Sequence, residues 1–175
     1  MPDMLVKLYD LQRDAALDAR MAQDGVVIRR ILPPELRALA DWIGPRFGQG
    51  WVSEATVATC RQPPSCLIAV KDEAIAGFAC YDATARGLFG PTGVDEALRG
   101  CGIGHALLLA TLLDMHAVGY PYGVIGGAGP TGFYARSVGA IAIPGSEPGI
   151  YKGMLPLAHP DDISTSHETT EPPAD

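Results

Sequence analysis

The sequence predicts an α/β protein in which helices flank both faces of one β-sheet. Short apolar runs that suit strands alternate with longer segments whose apolar residues recur at helical spacing. A glycine-rich turn over residues 99–104 leads directly into a strongly apolar helical pattern. This alternation is typical of layered α/β domains. The 175 residues suffice for one such domain with a substantial core.

The first predicted element is a helix over residues 5–23, which contain neither Gly nor Pro. Leu5, Leu8 and Leu11 fall near helical spacing within it. Residues 1–24 therefore form a predicted N-terminal helical extension. Its apolar side packs on the domain or on a second subunit, so a homodimer is one expectation.

The rest of the predicted domain spans residues 25–155. Its first half comprises a strand over 26–32, a helix opened by Pro33 and Pro34, an irregular aromatic loop over 44–53, a short helix over 53–61, and strands over 67–71, 74–82 and 87–94. Its second half comprises a helix over 104–118, a strand over 122–126, a helix over 130–138 ended by Gly139, and closing strands over 140–144 and 150–155.

Charge and composition narrow the possible partners. The net charge is −7, and residues 156–175 carry five acidic residues with no Lys or Arg. That segment is also rich in Pro, Ser and Thr, which predicts a disordered acidic tail. No basic stripe follows the chain, so nucleic acid is not an expected partner.

Apolar runs and cysteines point to a cytoplasmic protein. No apolar run is long enough to span a membrane, and the first residues lack the pattern of a signal peptide. The four cysteines form no C-x-x-C pair and complete no zinc spacing with the histidines. We therefore expect reduced thiols, no membrane association and no metal.

The segment Arg99-Gly-Cys-Gly-Ile-Gly104 is suited to an anion. The first turn of a helix has unpaired backbone N–H groups and about half a positive charge. Glycines let phosphate oxygens approach those groups closely. The spacing fits neither the dinucleotide fingerprint nor the P-loop, because the required third glycine and the Lys-Ser/Thr pair are missing.

Two motifs resemble those of the GNAT superfamily of acyl-CoA-dependent N-acyltransferases. Arg99, Gly102 and Gly104 fit R-x-x-G-x-G, and the block Gly-Phe-Tyr-Ala-Arg-Ser-Val-Gly-Ala over 132–140 follows at the family's usual distance. The resemblance implies a splayed mixed sheet with acetyl-CoA as cosubstrate. The strand before the turn would pair with the pantetheine arm, and the turn would bind the pyrophosphate.

The same resemblance assigns residues to the coenzyme. The implied contacts are Gly93, Val94, Arg99, Gly100, Cys101, Gly102, Ile103, Gly104, His105 and Tyr134. Tyr134 is also the implied proton donor to the departing thiolate, which a phenol can protonate or hydrogen-bond. The family often has an Asn after the next strand, whereas this chain has Gly126 and Gly127 there. A pantetheine contact in this region would have to come from backbone.

The general base and the acceptor are less tightly specified. Glu54 is the first candidate for the base and Asp82 the second, although a water relay needs neither. Trp42, Phe47 and Trp51 line the acceptor pocket or belong to the core. The leading hypothesis is acetyl transfer to a primary amine of a small molecule. Acetylation of a protein lysine or N-terminus, and acyl-CoA sensing without turnover, are the alternatives.

Overall fold

Seven strands form one mixed sheet in the computed structural model, which describes residues 1–155. In chain order they are β1 (Met4–Lys7), β2 (Val26–Arg30), β3 (Cys66–Lys71), β4 (Ala74–Tyr81), β5 (Leu88–Val94), β6 (Tyr122–Ile125) and β7 (Ile141–Ala142). Across the sheet their order is β2-β3-β4-β5-β6-β1-β7. Only β5 and β6 are parallel neighbours. The predicted mixed sheet is confirmed, and the tail predicted over 156–175 lies outside the described residues.

Helices cover both faces of the sheet, as predicted. They are α1 (Ala15–Gln23), α2 (Leu36–Phe47), α3 (Gln49–Thr59), α4 (Ile103–Ala117) and α5 (Thr131–Val138). One apolar cluster joins the sheet to α1, α4 and α5, with Leu107 and Leu112 of α4 fully buried. A second cluster joins the other face to α2 and α3. Each fully buried leucine contributes roughly 1.5–3 kcal/mol, so α4 is firmly fixed against the sheet.

The N-terminal segment differs from its prediction. The helix expected over 5–23 is confirmed only in α1, because Met4–Lys7 is a strand between β6 and β7. Val6 is fully buried within it, while its neighbours are more exposed. Asp14 begins α1, since its carboxylate accepts a 2.9 Å hydrogen bond from the Leu17 N–H. Four residues are too few to separate strand alternation from helical spacing.

The aromatic loop expected over 44–53 is wrong. The helix α2 continues through Pro45 to Phe47, and α3 begins at Gln49. Only Gly48 separates them, with φ of +92°, a conformation that glycine adopts without steric cost. The aromatic residues of this region therefore lie on helices rather than in a loop.

The closing strands are shorter than predicted. The strand expected over 140–144 is confirmed only as β7, and the strand expected over 150–155 is absent. Gly149–Tyr151 forms a 3₁₀ turn there instead. Gly149 and Gly153 have positive φ of +65° and +81°, which is incompatible with extended backbone. By contrast, Gly139 ends α5 in the left-handed conformation, as predicted.

Residues 1–155 include neither a helix that could span a membrane nor a group of side chains that could hold a metal ion. Within that range no helix is both long and apolar enough to cross a membrane. In the same range no three His, Cys, Asp or Glu side chains are grouped closely enough to hold a metal ion. All four cysteines are free thiols in the structure.

Candidate active site

The strands β5 and β6 separate after two residue pairs. Leu88 pairs with Val124 and Phe89 with Ile125, and the pairing ends there. On its other edge β5 continues to pair with β4 as far as Val94. The edge of β5 from residue 90 to 94 that faces β6 is therefore open, which is the splay that the resemblance implies.

The backbone beyond β6 is held away from β5 by the segment that precedes β1. The Gly127 N–H donates to Asp3 Oδ1 at 2.8 Å, and the Ala128 N–H donates to the Pro2 carbonyl at 2.8 Å. These bonds engage the backbone donors at the position where the family often has an Asn. They attach the turn over residues 126–129 to the segment before β1, which lies on the side of β6 away from β5.

The turn after β5 presents a run of unpaired backbone donors. Asp95 caps a short 3₁₀ turn, and its Oδ1 accepts from the Ala97 N–H at 3.1 Å. Gly100 and Gly102 then have φ of +82° and +90°, and no side chain caps α4. Within the described part of the chain, the N–H groups of residues 100–105 donate to no acceptor. Six such donors at a helix N-terminus are suited to bind an anion.

Side chains near this turn differ in what they can contribute. The Arg99 guanidinium is 58% exposed, and its nearest carboxylate oxygen, on Glu96, is 4.0 Å away. Arg99 is therefore free to contact a bound anion. Ile103 is 1% exposed, so only its backbone can face a ligand. Cys101 is exposed. His105 lines a cavity of about 410 Å³ that lies between the segment before α1 and the end of α5.

Glycine at position 93 allows an aromatic ring to pack directly on β5. A Cβ there would lie 2.6 Å from Cζ of Phe47. Phe47 stacks on Trp51 with ring centroids 4.9 Å apart, and Trp42 meets Phe78 edge to face at 6.1 Å. These aromatic residues pack against the apolar cluster under α2 and α3. They belong to the core, and their partly exposed edges border the β5 side of the gap.

Tyr134 lies on α5, which is connected to β6 by a second glycine-containing turn over residues 126–130. Its side chain is packed in the core with 6% exposure, and Phe133 meets its ring edge to face at 5.2 Å. Its hydroxyl is not one of the fully buried side-chain atoms that lack a partner among the described residues. Burial raises the pKa of Tyr134, so the hydroxyl keeps its proton at neutral pH and is available as a donor.

The two base candidates are in different environments. Glu54 of α3 accepts a hydrogen bond from the hydroxyl of Thr84, in the loop before β5. Tyr151 lies nearby, with its hydroxyl 3.6 Å from the position of a Cβ on Gly126. Burial is the main cause of the raised pKa of Tyr151, and the charge of Glu54 adds to it. Glu54 thus lies near the point where β5 and β6 separate.

Asp82 is a structural residue. Its side chain is 4% exposed and accepts from the Gly87 N–H at 2.7 Å, from the Tyr120 hydroxyl at 2.9 Å and from Arg61 at 3.3 Å. Burial and then the bond to Asp82 raise the pKa of Tyr120. Because its carboxylate has these three partners, Asp82 stabilises the conformation of the loop before β5. Its expected place as second base candidate is not supported.

Sequence reasoning did not find Arg20, Tyr151 or Asp3. Arg20 of α1 lies against Gly102, but no local pattern relates two residues so far apart in the chain. Asp3 and Tyr151 lie near the turn after β6, at Gly127 and Gly126, and both are likewise distant from it in the sequence. Each contact depends on where β1, α1 and the last turn pack, so the sequence carried no signal for them.

Comparisons with solved structures agree on the fold. The GCN5-related glucosamine N-acetyltransferase region of a fungal multi-domain GH3 β-N-acetylglucosaminidase aligns with a TM-score of 0.67 at 16% identity, over 81% of this chain and 19% of that one. A GCN5-related N-acetyltransferase from Sphaerobacter thermophilus gives 0.60 at 21% identity, over 81% and 48%. A GNAT family acetyltransferase from Brucella melitensis, in complex with acetyl-CoA, gives 0.50 at 20%, over 69% and 89%.

The chain therefore has the fold of the GCN5-related N-acetyltransferases, which confirms the resemblance at the level of architecture. It spans about half or less of the length of the first two of those proteins. No protein-family model and no curated protein matches the sequence. What the site does must consequently be argued from its own residues.

Proposed function

We propose that the chain is an N-acetyltransferase that moves an acetyl group from acetyl-CoA to a primary amine of a small molecule. The observation that carries this proposal is the open edge of β5 followed by six unpaired N–H groups over residues 100–105. An extended arm that ends in a pyrophosphate complements both features. The acetyl-CoA complex of the structural neighbour from Brucella melitensis supports the same choice.

The residues present fit such a molecule. Gly93 and Val94 lie on the open part of β5 and offer backbone groups to a pantetheine arm. The turn from Gly100 to His105 offers donors for the pyrophosphate, and Arg99 adds a charge that pairs well with phosphate oxygens. When bound, acetyl-CoA supplies a thioester, whose carbonyl carbon accepts an amine nucleophile.

Two side chains are proposed to move protons. The amine nitrogen forms a bond to the carbonyl carbon, and the carbon–sulfur bond breaks. Tyr134 donates its proton to the departing thiolate, for which its buried and protonated hydroxyl is suited. Glu54 accepts the proton that the amine loses, in the place where Thr84 orients its carboxylate. Positioning of the two reactants supplies most of the acceleration.

The packing on the α2–α3 side favours a small acceptor. Trp42, Phe47 and Trp51 fill this side against Phe78, which leaves less room for a folded protein surface than for a metabolite. Acetylation of a protein lysine or N-terminus therefore ranks second.

The free thiols support our inference of a reducing, cytoplasmic compartment, and homodimer formation stays a prediction.

The decisive experiment is an amine screen with the purified protein. Release of free thiol from acetyl-CoA and the mass of the acetylated product are measured for diamines, amino sugars, aminoglycosides and lysine-containing peptides. Turnover of a small amine with the peptides inactive is the expected result. Preference for peptides would assign a protein substrate. Tight acetyl-CoA binding without turnover of any amine would instead favour the acyl-CoA sensor.

A further inference from the structure

Arg20 of α1 lies against Gly102, within the run of unpaired donors over residues 100–105. If Gly102 carried a Cβ, that atom would lie 3.1 Å from Cζ and 3.4 Å from Nε of Arg20, and Nη2 would be closer still. Gly102 is also the residue with φ of +90° that precedes α4. Glycine is thus favoured there by the backbone conformation, and its missing side chain leaves the space that the guanidinium occupies.

The backbone that carries Arg20 is firmly held. Its neighbours Leu17 and Met21 are 5% and 4% exposed, and they belong to the same apolar cluster as Ile103, the first residue of α4. The helix α1 is therefore packed beside the start of α4. The position of the Arg20 backbone follows from that packing, while its side chain is exposed and reaches Gly102 from there.

Arg20 makes no compensating ion pair in the part of the chain that the structure describes. Asp24 follows it by one helical turn, at a spacing that allows an ion pair, yet the guanidinium is directed toward Gly102. A cation beside the positive end of α4 is unfavourable in the absence of an anion. The arrangement becomes favourable when one anion contacts both the guanidinium and the N–H groups of the turn.

We infer that Arg20 is a further binding residue for the pyrophosphate of the coenzyme, and this rests on the proposed function. The backbone N–H groups of the turn bind one side of the pyrophosphate, and the planar guanidinium binds two oxygens from the other side. The helix α1, which lies before the residues that resemble the GNAT motifs, is then part of the coenzyme site. The motif R-x-x-G-x-G does not predict the contribution of α1, because Arg20 lies outside the residues that form the motif.

The test compares Arg20→Met with Arg13→Met. Methionine keeps an apolar stem while removing the charge. Arg13 precedes α1, is 81% exposed, and its replacement changes the net charge equally. Affinities for CoA, 3′-dephospho-CoA and pantetheine are measured by calorimetry, with melting temperatures of the free proteins as the check on folding. The second variant is Arg20→Lys, which keeps the charge but loses the planar guanidinium with its paired N–H donors.

Arg20→Met is expected to weaken CoA and 3′-dephospho-CoA equally, by about 10- to 100-fold, as for a lost hydrogen bond to a charged group. Pantetheine affinity stays within twofold, Arg13→Met stays within twofold for every ligand, and Arg20→Lys falls between. Unchanged CoA affinity in Arg20→Met, a loss confined to CoA with its 3′-phosphate, or an equal loss for pantetheine would each overturn the assignment of Arg20. A wild-type protein that binds no CoA species would refute the proposed function itself.

Discussion

At the residue scale, Tyr134 stands out because its ring is packed in the core while its hydroxyl is proposed to take part in the reaction. The residue is 6% exposed and packs against Phe133. Burial raises the pKa of this phenol, so it stays protonated at neutral pH. A protonated phenol can donate to a thiolate, which is the role that we propose for Tyr134.

Replacing Tyr134 with Phe is expected to lower kcat by about 10- to 1000-fold with little change in acetyl-CoA affinity. The ring packing is preserved, so the melting temperature should stay the same or rise slightly. Steady-state kinetics with the acceptor from the amine screen, together with calorimetric Kd, would check this. A kcat equal to that of the wild type would exclude Tyr134 as the proton donor.

The raised pKa of Tyr134 also predicts how the rate depends on pH. A donor acts only while protonated, and burial shifts its deprotonation above the usual value near 10. The alkaline fall in kcat that belongs to this group should therefore lie above pH 10. An alkaline limb centred near pH 8 that vanishes in Tyr134→Phe would contradict this expectation.

At the element scale, a single carboxylate joins the end of β2 to the start of α2. Glu35 accepts two bonds from Arg29, at 2.6 and 2.8 Å, and one from the Leu32 N–H at 2.8 Å. The bond to Arg29 is the main cause that lowers the Glu35 pKa to about 2. The pair is partly exposed, at 38% and 31%, so solvent screens it and its stabilisation is modest.

Glu35→Gln is expected to reduce the free energy of unfolding by about 1 kcal/mol at pH 7. A carboxylate whose pKa is lower in the folded state stabilises the protein above its unfolded pKa, near 4.3. That stabilisation is lost as the pH falls through the folded value of about 2. Urea titrations of both proteins between pH 7 and pH 2 should show the difference shrinking below pH 4.3. A constant difference would refute the linkage.

Elements with local signals were predictable, and those defined by distant partners were not. Short-range chemistry correctly predicts three features, which are the glycine-rich turn over residues 99–104, the end of α5 at Gly139, and the hairpin of β3 and β4. The strand β1 was mistaken for a helix because its four residues gain their structure only from β6 and β7. In the candidate site, the turn was predictable, whereas Arg20 was not.

At the scale of the whole molecule, binding and stability are linked. A ligand that binds only the folded state stabilises it in proportion to the logarithm of its concentration. Since α1, β5 and α4 all border the proposed coenzyme site, their packing and the occupancy of the site should respond together. Thermal unfolding therefore reports coenzyme binding without knowledge of the acceptor.

Acetyl-CoA at a hundredfold excess over Kd is expected to raise the melting temperature by roughly 5–10 °C. Gly100→Asp should abolish the rise, because a carboxylate would lie where the pyrophosphate binds. Gly119→Asp is the matched control beyond the other end of α4. Both glycines have positive φ, +82° and +107°, and open space around the position of a Cβ. An equal rise in all three proteins would place the coenzyme elsewhere.

The position of β1 has a consequence for how the chain folds during synthesis. Met4 pairs with Ile125 and with Ala142, so this strand is made early while its partners appear about 120 residues later. Contacts of such high sequence separation slow folding. A nascent chain that leaves the ribosome keeps β1 unpaired until nearly the whole domain has emerged. We expect chains truncated before β6 to be strongly protease-sensitive, because β1 then lacks both of its partners, β6 and β7.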